Sequence, residues 1–215
     1  MPEKMDYLLG KGVPAIWFCT GALIERRPGY ALKAIEKGFL LGNHSYDHPR
    51  FSDLETEDGA VQIRRTDAIL ERLHGEGGIS SYRKYFRFPY GDKGAGHKAA
   101  LQGLLREMGY CPAPSIDLTC RSYHSPGLGL DVDWYWTYDV MDWSIHSGEP
   151  QQGVDSIEKV LARMDEDDPE NGKGLTSGDS AEIILLHDHE ETSQYFKRIV
   201  DSLLAKRLSF QLPEK

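Results

Sequence analysis

Short apolar runs alternate along the chain with longer segments whose apolar residues recur at helical spacing. The runs are short enough to be buried strands and lie at 15–19, 39–42, 85–88, 136–140 and 183–186. The other segments predict helices at about 2–10, 28–37, 57–74, 101–108, 156–164 and 196–208. Such alternation is typical of an α/β protein with a parallel sheet or barrel.

The length and composition predict a single globular domain over residues 1–215. Of the 215 residues, 40% are apolar, which is enough to bury a core without disulfides or structural metals. We find no internal repeat, and a polar, glycine-rich tract at 165–182 predicts a surface loop. The three cysteines are odd in number and widely spaced, so they indicate neither a disulfide framework nor a four-sulfur zinc site.

The charge balance and hydropathy argue against several classes of partner. Asp and Glu number 34 against 25 Lys and Arg, and the net charge of −9 disfavours nucleic acid and anionic lipid. No apolar run reaches the roughly 18 residues that a membrane-spanning helix needs. The N-terminus lacks the basic and apolar regions of a signal peptide, so the expected location is cytoplasmic by default.

Two histidines follow the second predicted strand. In parallel α/β folds, chemistry gathers at the C-terminal ends of the strands, and His44 and His48 occupy such a position. Their imidazoles point the same way in a turn, and neutral imidazole is a usual ligand of Zn²⁺. Pro49 makes this a loop site rather than a helical zinc-protease motif. The alternative is a pair of exposed or capping histidines.

A tight turn follows the third predicted strand, in the sequence Arg87-Phe88-Pro89-Tyr90-Gly91. Pro89 and Gly91 impose the turn, and the planar guanidinium of Arg87 is suited to holding a carboxylate. The alternative is an ordinary turn with an incidental ion pair.

Aromatic and acidic residues are interleaved around the fourth predicted strand. Three of the four tryptophans lie between positions 134 and 143, and flat aromatic faces can bind ring-shaped ligands, although core packing is their commoner use. The most apolar strand, 183–186, then leads to His187, which a nearby acid such as Asp142 could orient. A structural histidine is the alternative. These residues together predict a hydrolase with a metal site.

The four segments, in this order, resemble the motifs of the polysaccharide deacetylases, also called carbohydrate esterase family four. Segment 44–48 is similar to the family's metal-binding His motif, and 87–91 to its Arg-x-Pro-Tyr motif. Segments 139–143 and 185–188 are similar to its Asp-Trp and Leu-x-His motifs. The likeness spans about 5–205. It implies a distorted (β/α) barrel that hydrolyses an acetamide or acetyl ester on a sugar.

The resemblance also implies a role for each matching histidine. His44 and His48 would ligate one divalent ion, expected to be zinc, with cobalt and nickel as alternatives; this ion polarises the acetyl carbonyl and activates water. His187 would be the general acid for the leaving amine, and Asp142 would hold its tautomer.

Three further residues would shape the pocket by the same resemblance. The backbone N–H of Tyr90 would bind the oxyanion, as the Tyr of the Arg-x-Pro-Tyr motif does in the family. Trp143 and Leu185 would line the space for the acetyl methyl group.

One family motif has no counterpart in these 215 residues. The family opens with a strand ending in Thr-Phe-Asp-Asp, whose first Asp is the general base and whose second is the third metal ligand. This chain starts at the helix that normally follows, so Arg87, which holds the base in the family, lacks its expected partner. The missing motif leads us to expect a barrel short of its first strand. Because a catalytic zinc usually has three protein ligands, we also expect an impaired enzyme.

Two explanations of the missing motif are open, and the favoured one is a segment upstream of Met1 that carries the acidic strand and, in an exported protein, a signal. The other is a degenerate family member. The predicted function is removal of acetyl groups from N-acetylated or O-acetylated carbohydrate. The alternatives are a non-catalytic carbohydrate-binding or regulatory domain and an amidohydrolase of the same superfamily acting on a small amide. The sequence does not predict the oligomeric state.

Overall fold

The structure, a computed structural model, describes residues 2–114, 118, 120–124, 128–166, 174–177 and 181–213. Of the surface loop predicted at 165–182, residues 167–173 and 178–180 lie outside this range.

Helices and two strands make up the first half of the chain, and the apolar pattern predicts both strands. In order they are α1 (Pro2–Lys11), β1 (Ile16–Cys19), α2 (Gly21–Arg26), α3 (Pro28–Glu36), β2 (Leu40–Asn43), α4 (Thr56–Glu76) and α5 (Lys98–Glu107).

The second half has shorter elements. They are α6 (Arg121–His124), β3 (Tyr138–Asp139), α7 (Ile157–Arg163), β4 (Ile184–Leu185) and α8 (Phe196–Ala205). The predicted strand at 136–140 is thus reduced to two residues, and the last helix ends three residues earlier than its apolar stripe indicates.

The strands form two parallel pairs. β1 pairs with β2, in register from Ile16 opposite Leu40, and β3 pairs with β4, with Asp139 opposite Leu185. Side chains of β1 and the residue Ile183 before β4 share one apolar cluster, yet among the described residues no ladder joins the two pairs. The α/β architecture is confirmed.

The prediction of a strand at 85–88 was wrong. The segment forms a single bridge, in which the Asn43 N–H donates to the Tyr85 carbonyl and the Arg87 N–H donates to the Asn43 carbonyl. The ladder stops there because the Arg87 carbonyl contacts the ring of His44 instead, and Pro89 has no N–H to donate.

Apolar faces of the helices cover these strands. α4 buries Ile63, Leu70 and Leu73, and α8 buries the stripe predicted from its spacing, which begins at Phe196. Gly42 in β2 allows the Phe18 ring to lie across the strand, since a Cβ at Gly42 would come within 2.5 Å of that ring. No helix within the described ranges is both long and apolar enough to cross a membrane.

Candidate active site

The first part of the site is the turn after β2, which carries His44 and His48. The His44 N–H continues the ladder to the Cys19 carbonyl, and the two imidazole centroids lie 4.8 Å apart. The Nδ1 atom of His44 is 2.7 Å from the Arg87 carbonyl. A carbonyl only accepts, so Nδ1 carries the proton and Nε2 keeps a free lone pair.

Both imidazoles are neutral at neutral pH. Burial lowers the pKa of His44 to about 3, although the Arg87 carbonyl opposes the shift. Burial also lowers the pKa of His48, assisted by repulsion from the charges of His189 and His187. Neutral imidazoles are the form that binds metal ions.

A buried asparagine supports this turn from below. The Asn43 amide donates to the Ile63 carbonyl at 2.9 Å and to the Tyr110 hydroxyl at 2.7 Å, while its oxygen accepts from the Ser45 N–H at 2.9 Å. Tyr110 in turn donates to Asp67. Our sequence reasoning missed Asn43; the available signal was an amide side chain at the end of an apolar strand.

Unusual backbone geometry is concentrated around the site. Of the seven described non-glycine residues with positive φ, four lie in the site segments: Ser45, His48, Tyr90 and Met141. This conformation costs roughly 1 kcal/mol or more at each position and persists where the surroundings enforce it. Such clustering indicates a functional cleft.

Tyr90 occupies the turn that faces His48. Its φ is 58°, its ring centroid lies 4.6 Å from that of His48, and its side chain is exposed. None of the hydrogen bonds among the described residues uses the Tyr90 N–H. Gly91 follows in a left-handed conformation, and a Cβ there would lie 2.6 Å from the Tyr135 ring. The turn therefore leaves one backbone donor available for a ligand.

Arg87 lies behind the histidines as a buried cation. Its Nε donates to the Trp134 carbonyl at 3.0 Å, and its guanidinium stacks 4.3 Å from the Phe18 ring centroid. No carboxylate of the described residues pairs with it at salt-bridge distance, and burial lowers the pKa of Arg87 to about 10. In place of the predicted carboxylate, Arg87 contacts a carbonyl and an aromatic ring.

The second part of the site joins β3 and β4 through Asp142 and His187. The Nδ1 atom of His187 lies 2.9 Å from one carboxylate oxygen of Asp142, and the His187 N–H donates to the other at 3.2 Å. Asp142 is 2% exposed. Two contacts to one buried carboxylate fix both the ring and the backbone of the histidine.

Asp139 is held beside this pair. It accepts from the Met141 N–H at 2.8 Å and from the Trp143 indole at 3.0 Å. Burial and the charge of Asp142 raise the pKa of Asp139, although its two hydrogen bonds oppose the shift. Leu185, also predicted for the pocket, is buried in β4.

The two parts interact electrostatically. Repulsion from the charge of His187 contributes to lowering the pKa of both His44 and His48. The structure therefore brings His44, His48 and Tyr90 together in one part and Asp142, Trp143 and His187 together in the other, with Arg87 and Leu185 buried.

Only part of a metal-binding set is present. Among the described residues, one group of three potential ligand side chains has its donor atoms within 4.8 Å of one another: Asp139, Asp142 and His187. The oxygens of that group already accept N–H donors, which favours a hydrogen-bonded acid–histidine pair over a cation site. His44 and His48 suit a divalent ion but lack a third protein ligand among the described residues.

Comparison with known proteins identifies the family. The model of the polysaccharide deacetylase family matches residues 1–112, which is half of the chain and includes both the His44–His48 turn and the Arg87 turn. The chain belongs to the polysaccharide deacetylase family. This confirms the resemblance drawn from the motifs and the expected distorted-barrel class.

Individual polysaccharide deacetylases extend the likeness over nearly the whole chain. A peptidoglycan-N-acetylglucosamine deacetylase of Listeria monocytogenes is 32% identical over 192 residues, covering 89% of this chain and 30% of its own length. The chain spans between 30% and 37% of the length of this and two other curated deacetylases that it matches.

Two solved structures share the fold. The chitin deacetylase of Colletotrichum lindemuthianum matches with a TM-score of 0.65 at 23% identity, covering 95% of this chain and 76% of the other. A family 4 carbohydrate esterase pseudoenzyme of Bacillus anthracis matches with a TM-score of 0.62 at 16% identity, covering 95% and 56%.

Proposed function

We propose that this chain is a single metal-dependent deacetylase domain for N-acetylated or O-acetylated carbohydrate, and that its activity is impaired in the 215 residues considered. The observation that supports it most is the hydrogen-bonded Asp142–His187 pair, whose histidine interacts electrostatically with the neutral imidazoles of His44 and His48. A proton donor beside two potential metal ligands is the arrangement that amide hydrolysis requires.

In the proposed reaction, His187 donates a proton from Nε2 to the leaving nitrogen or oxygen. Asp142 keeps the other proton on Nδ1 and stabilises the imidazolium from which this proton is donated. The free N–H of Tyr90 donates to the oxyanion that develops on the acetyl carbonyl. Trp143 and Leu185 enclose the acetyl methyl group and exclude water from it.

A divalent ion, zinc or else cobalt or nickel, would be held by His44 and His48 and would supply carbonyl polarisation and a more acidic water. The proposed impairment follows from what surrounds these residues. Among the described residues, no carboxylate forms a salt bridge with the buried Arg87, and no third protein ligand accompanies the two imidazoles. Within the part of the chain that the structure describes, the reaction therefore lacks a general base and a complete metal site.

The proposal is tested by extending the chain at its N-terminus with a strand ending in Thr-Phe-Asp-Asp. Acetate release is measured from acetylated chitin oligomers and peptidoglycan fragments, with zinc, cobalt or nickel added. We expect the extended protein to release acetate and the 215-residue chain to release little. A matched control replaces both added aspartates by asparagine. Absence of release from the extended, metal-loaded protein overturns the proposal.

A second function is favoured by the same incomplete metal site and by the structural likeness to a pseudoenzyme. In it, the chain binds carbohydrate without hydrolysing it. Calorimetric binding of sugar oligomers with no turnover, even by the extended protein, would support this function. Including small linear and cyclic amides in the same assay distinguishes a third possibility, an amidohydrolase that prefers them to glycans.

A further inference from the structure

A buried lysine projects from the first helix toward the end of the last strand. Lys4 lies on the same face of α1 as Met5 and Leu8, and it is only 5% exposed. Removing an ammonium group from water is costly unless its charge is paired. The structure around Lys4 therefore has to compensate for its burial.

The partners of Lys4 all come from the segment that follows β4. Its Nζ lies 2.6 Å from a carboxylate oxygen of Asp188, donates to the His189 carbonyl at 3.3 Å, and is 5.2 Å from the ring centroid of Phe196. The Asp188 side chain is 29% exposed, so the pair is shielded mainly on the lysine side. One side chain near the N-terminus thus contacts three residues about 185 positions away.

These contacts lie immediately after His187. A lysine that contacts both the Asp188 side chain and the His189 carbonyl restrains the peptide on the C-terminal side of His187. On the other side, the His187 N–H is held by Asp142. Asp188 also lies close enough to the end of β1 that its charge contributes to the raised pKa of Cys19. The loop is therefore restrained between α1 and α8.

We propose that Lys4 is a positioning residue, which fixes residues 187–189 so that the His187 imidazole stays aligned with Asp142. The catalytic consequence rests on the proposed function, whereas the structural consequence rests on the contacts of Lys4 alone. An apolar side chain of the same length would fill the space in α1 but would leave the loop free to shift. Misplacement by about 1 Å is enough to lower a catalytic rate about a hundredfold.

The test compares Lys4→Met with Lys197→Met. Lys197 pairs with Glu3 at 2.8 Å and also links α8 to α1, but its side chain is 52% exposed. Amide hydrogen exchange is measured in the 215-residue chain at His187, with Leu70 in α4 as a reporter of global opening. We expect Lys4→Met to speed exchange at His187 about tenfold, with little change at Leu70, and Lys197→Met to change neither.

Asp188→Asn tests the same pair from the other side and serves if Lys4→Met does not fold. We expect a smaller increase at His187, and the double variant to match Lys4→Met alone, because both changes remove one interaction. Unchanged exchange at His187 in both variants overturns the proposal. Equal acceleration at His187 and Leu70 also overturns it, since the lysine would then stabilise the fold without positioning the loop.

The catalytic consequence is measured in the extended protein. We expect Lys4→Met to lower kcat about tenfold to a hundredfold with KM nearly unchanged, because the interaction acts through the general acid. Equal kcat in the variant and the parent would contradict this part. If the extended protein is inactive, the proposed function fails, while the exchange experiment still decides whether Lys4 holds the loop.

Discussion

The two sides of the cleft differ in how completely their charges are matched. On one side, which we call the acid half, Asp139, Asp142, Trp143 and His187 hydrogen-bond to one another or to adjacent backbone. On the other side, the metal half, His44 and His48 are neutral imidazoles, and Arg87 is a buried cation that makes no salt bridge with the described carboxylates.

This difference shows that the two halves have separate structural requirements. The acid half is assembled from β3 and β4, which pair directly. Its side chains therefore find their hydrogen-bond partners within the described residues. The metal half has a neutral pair and a cation, and a carboxylate between them would both complete the ion site and neutralise Arg87. The comparison predicts that variants of the two halves behave differently.

The largest expected effect belongs to the acid half. We expect His187→Ala to lower kcat of the extended protein by about 10² to 10⁴, the range typical of general acids, with a much smaller change in substrate affinity. Steady-state kinetics on an acetylated chitin oligomer provide the measurement. His97→Ala, at a histidine that hydrogen-bonds Thr56 away from the cleft, is the control. An unchanged kcat would remove His187 from the mechanism.

The acid sensitivity of folding should come largely from the metal half. Because burial lowers the pKa of His44 to about 3, the unfolded chain binds a proton between about pH 6.5 and 3 that the folded chain does not. Folding stability is therefore full above pH 6.5 and falls as the pH decreases, by a contribution on the order of 4 kcal/mol. Urea unfolding at several pH values measures it.

His44→Gln is the variant that isolates this contribution. It should show a flatter dependence of unfolding free energy on pH, with the remaining slope in this range due partly to His48, His74 and His189, whose pKa values are also lowered by burial. An identical pH dependence in the variant and the parent would mean that His44 is not buried as a neutral imidazole.

Metal binding should separate the two halves directly. We expect His48→Ala to weaken zinc or cobalt binding to the 215-residue chain by about a hundredfold or more, because one of two ligands is lost. Asp139→Asn should change the affinity little, since its oxygens are engaged by Met141 and Trp143. Calorimetry with each ion gives both values. The reverse order would move the ion to the acid half.

The smallest effect concerns Arg87. We expect Arg87→Met to raise the unfolding free energy of the 215-residue chain by about 1 kcal/mol, because removing an unmatched buried charge outweighs one lost hydrogen bond. Arg163→Met is the contrast, since that buried arginine contacts the Asp139 carbonyl, Gln152 and Glu166, and its loss should destabilise. Urea titrations compare them. Destabilisation by both variants would show that Arg87 is already matched.

The sequence predicted the elements and residues whose signals are local. The apolar stripes of α4 and α8 are confirmed, and His44, His48, Asp142 and His187 could be chosen because each follows a predicted strand. The family assignment from those short motifs is confirmed as well. Motif order along the chain was thus sufficient for the fold class and the family.

Features that depend on distant partners could not be predicted. Asn43 is held by Tyr110, and Lys4 by Asp188, so neither contact has a pattern in neighbouring residues. The strand expected at 85–88 failed for a related reason, since the His44 ring contacts the Arg87 carbonyl that a ladder would have used. For both Asn43 and Lys4, the available signal in the sequence was a polar residue among apolar neighbours.

The left-handed residues around the cleft bear on how such a domain changes during evolution. The shape of the turns at Ser45, His48, Tyr90 and Met141 is stored in the main chain and enforced by surrounding packing. Substituting the reactive side chains removes the chemistry without collapsing this shape. The shape of such a site can therefore persist after catalytic activity is lost, and selection can retain it for binding alone.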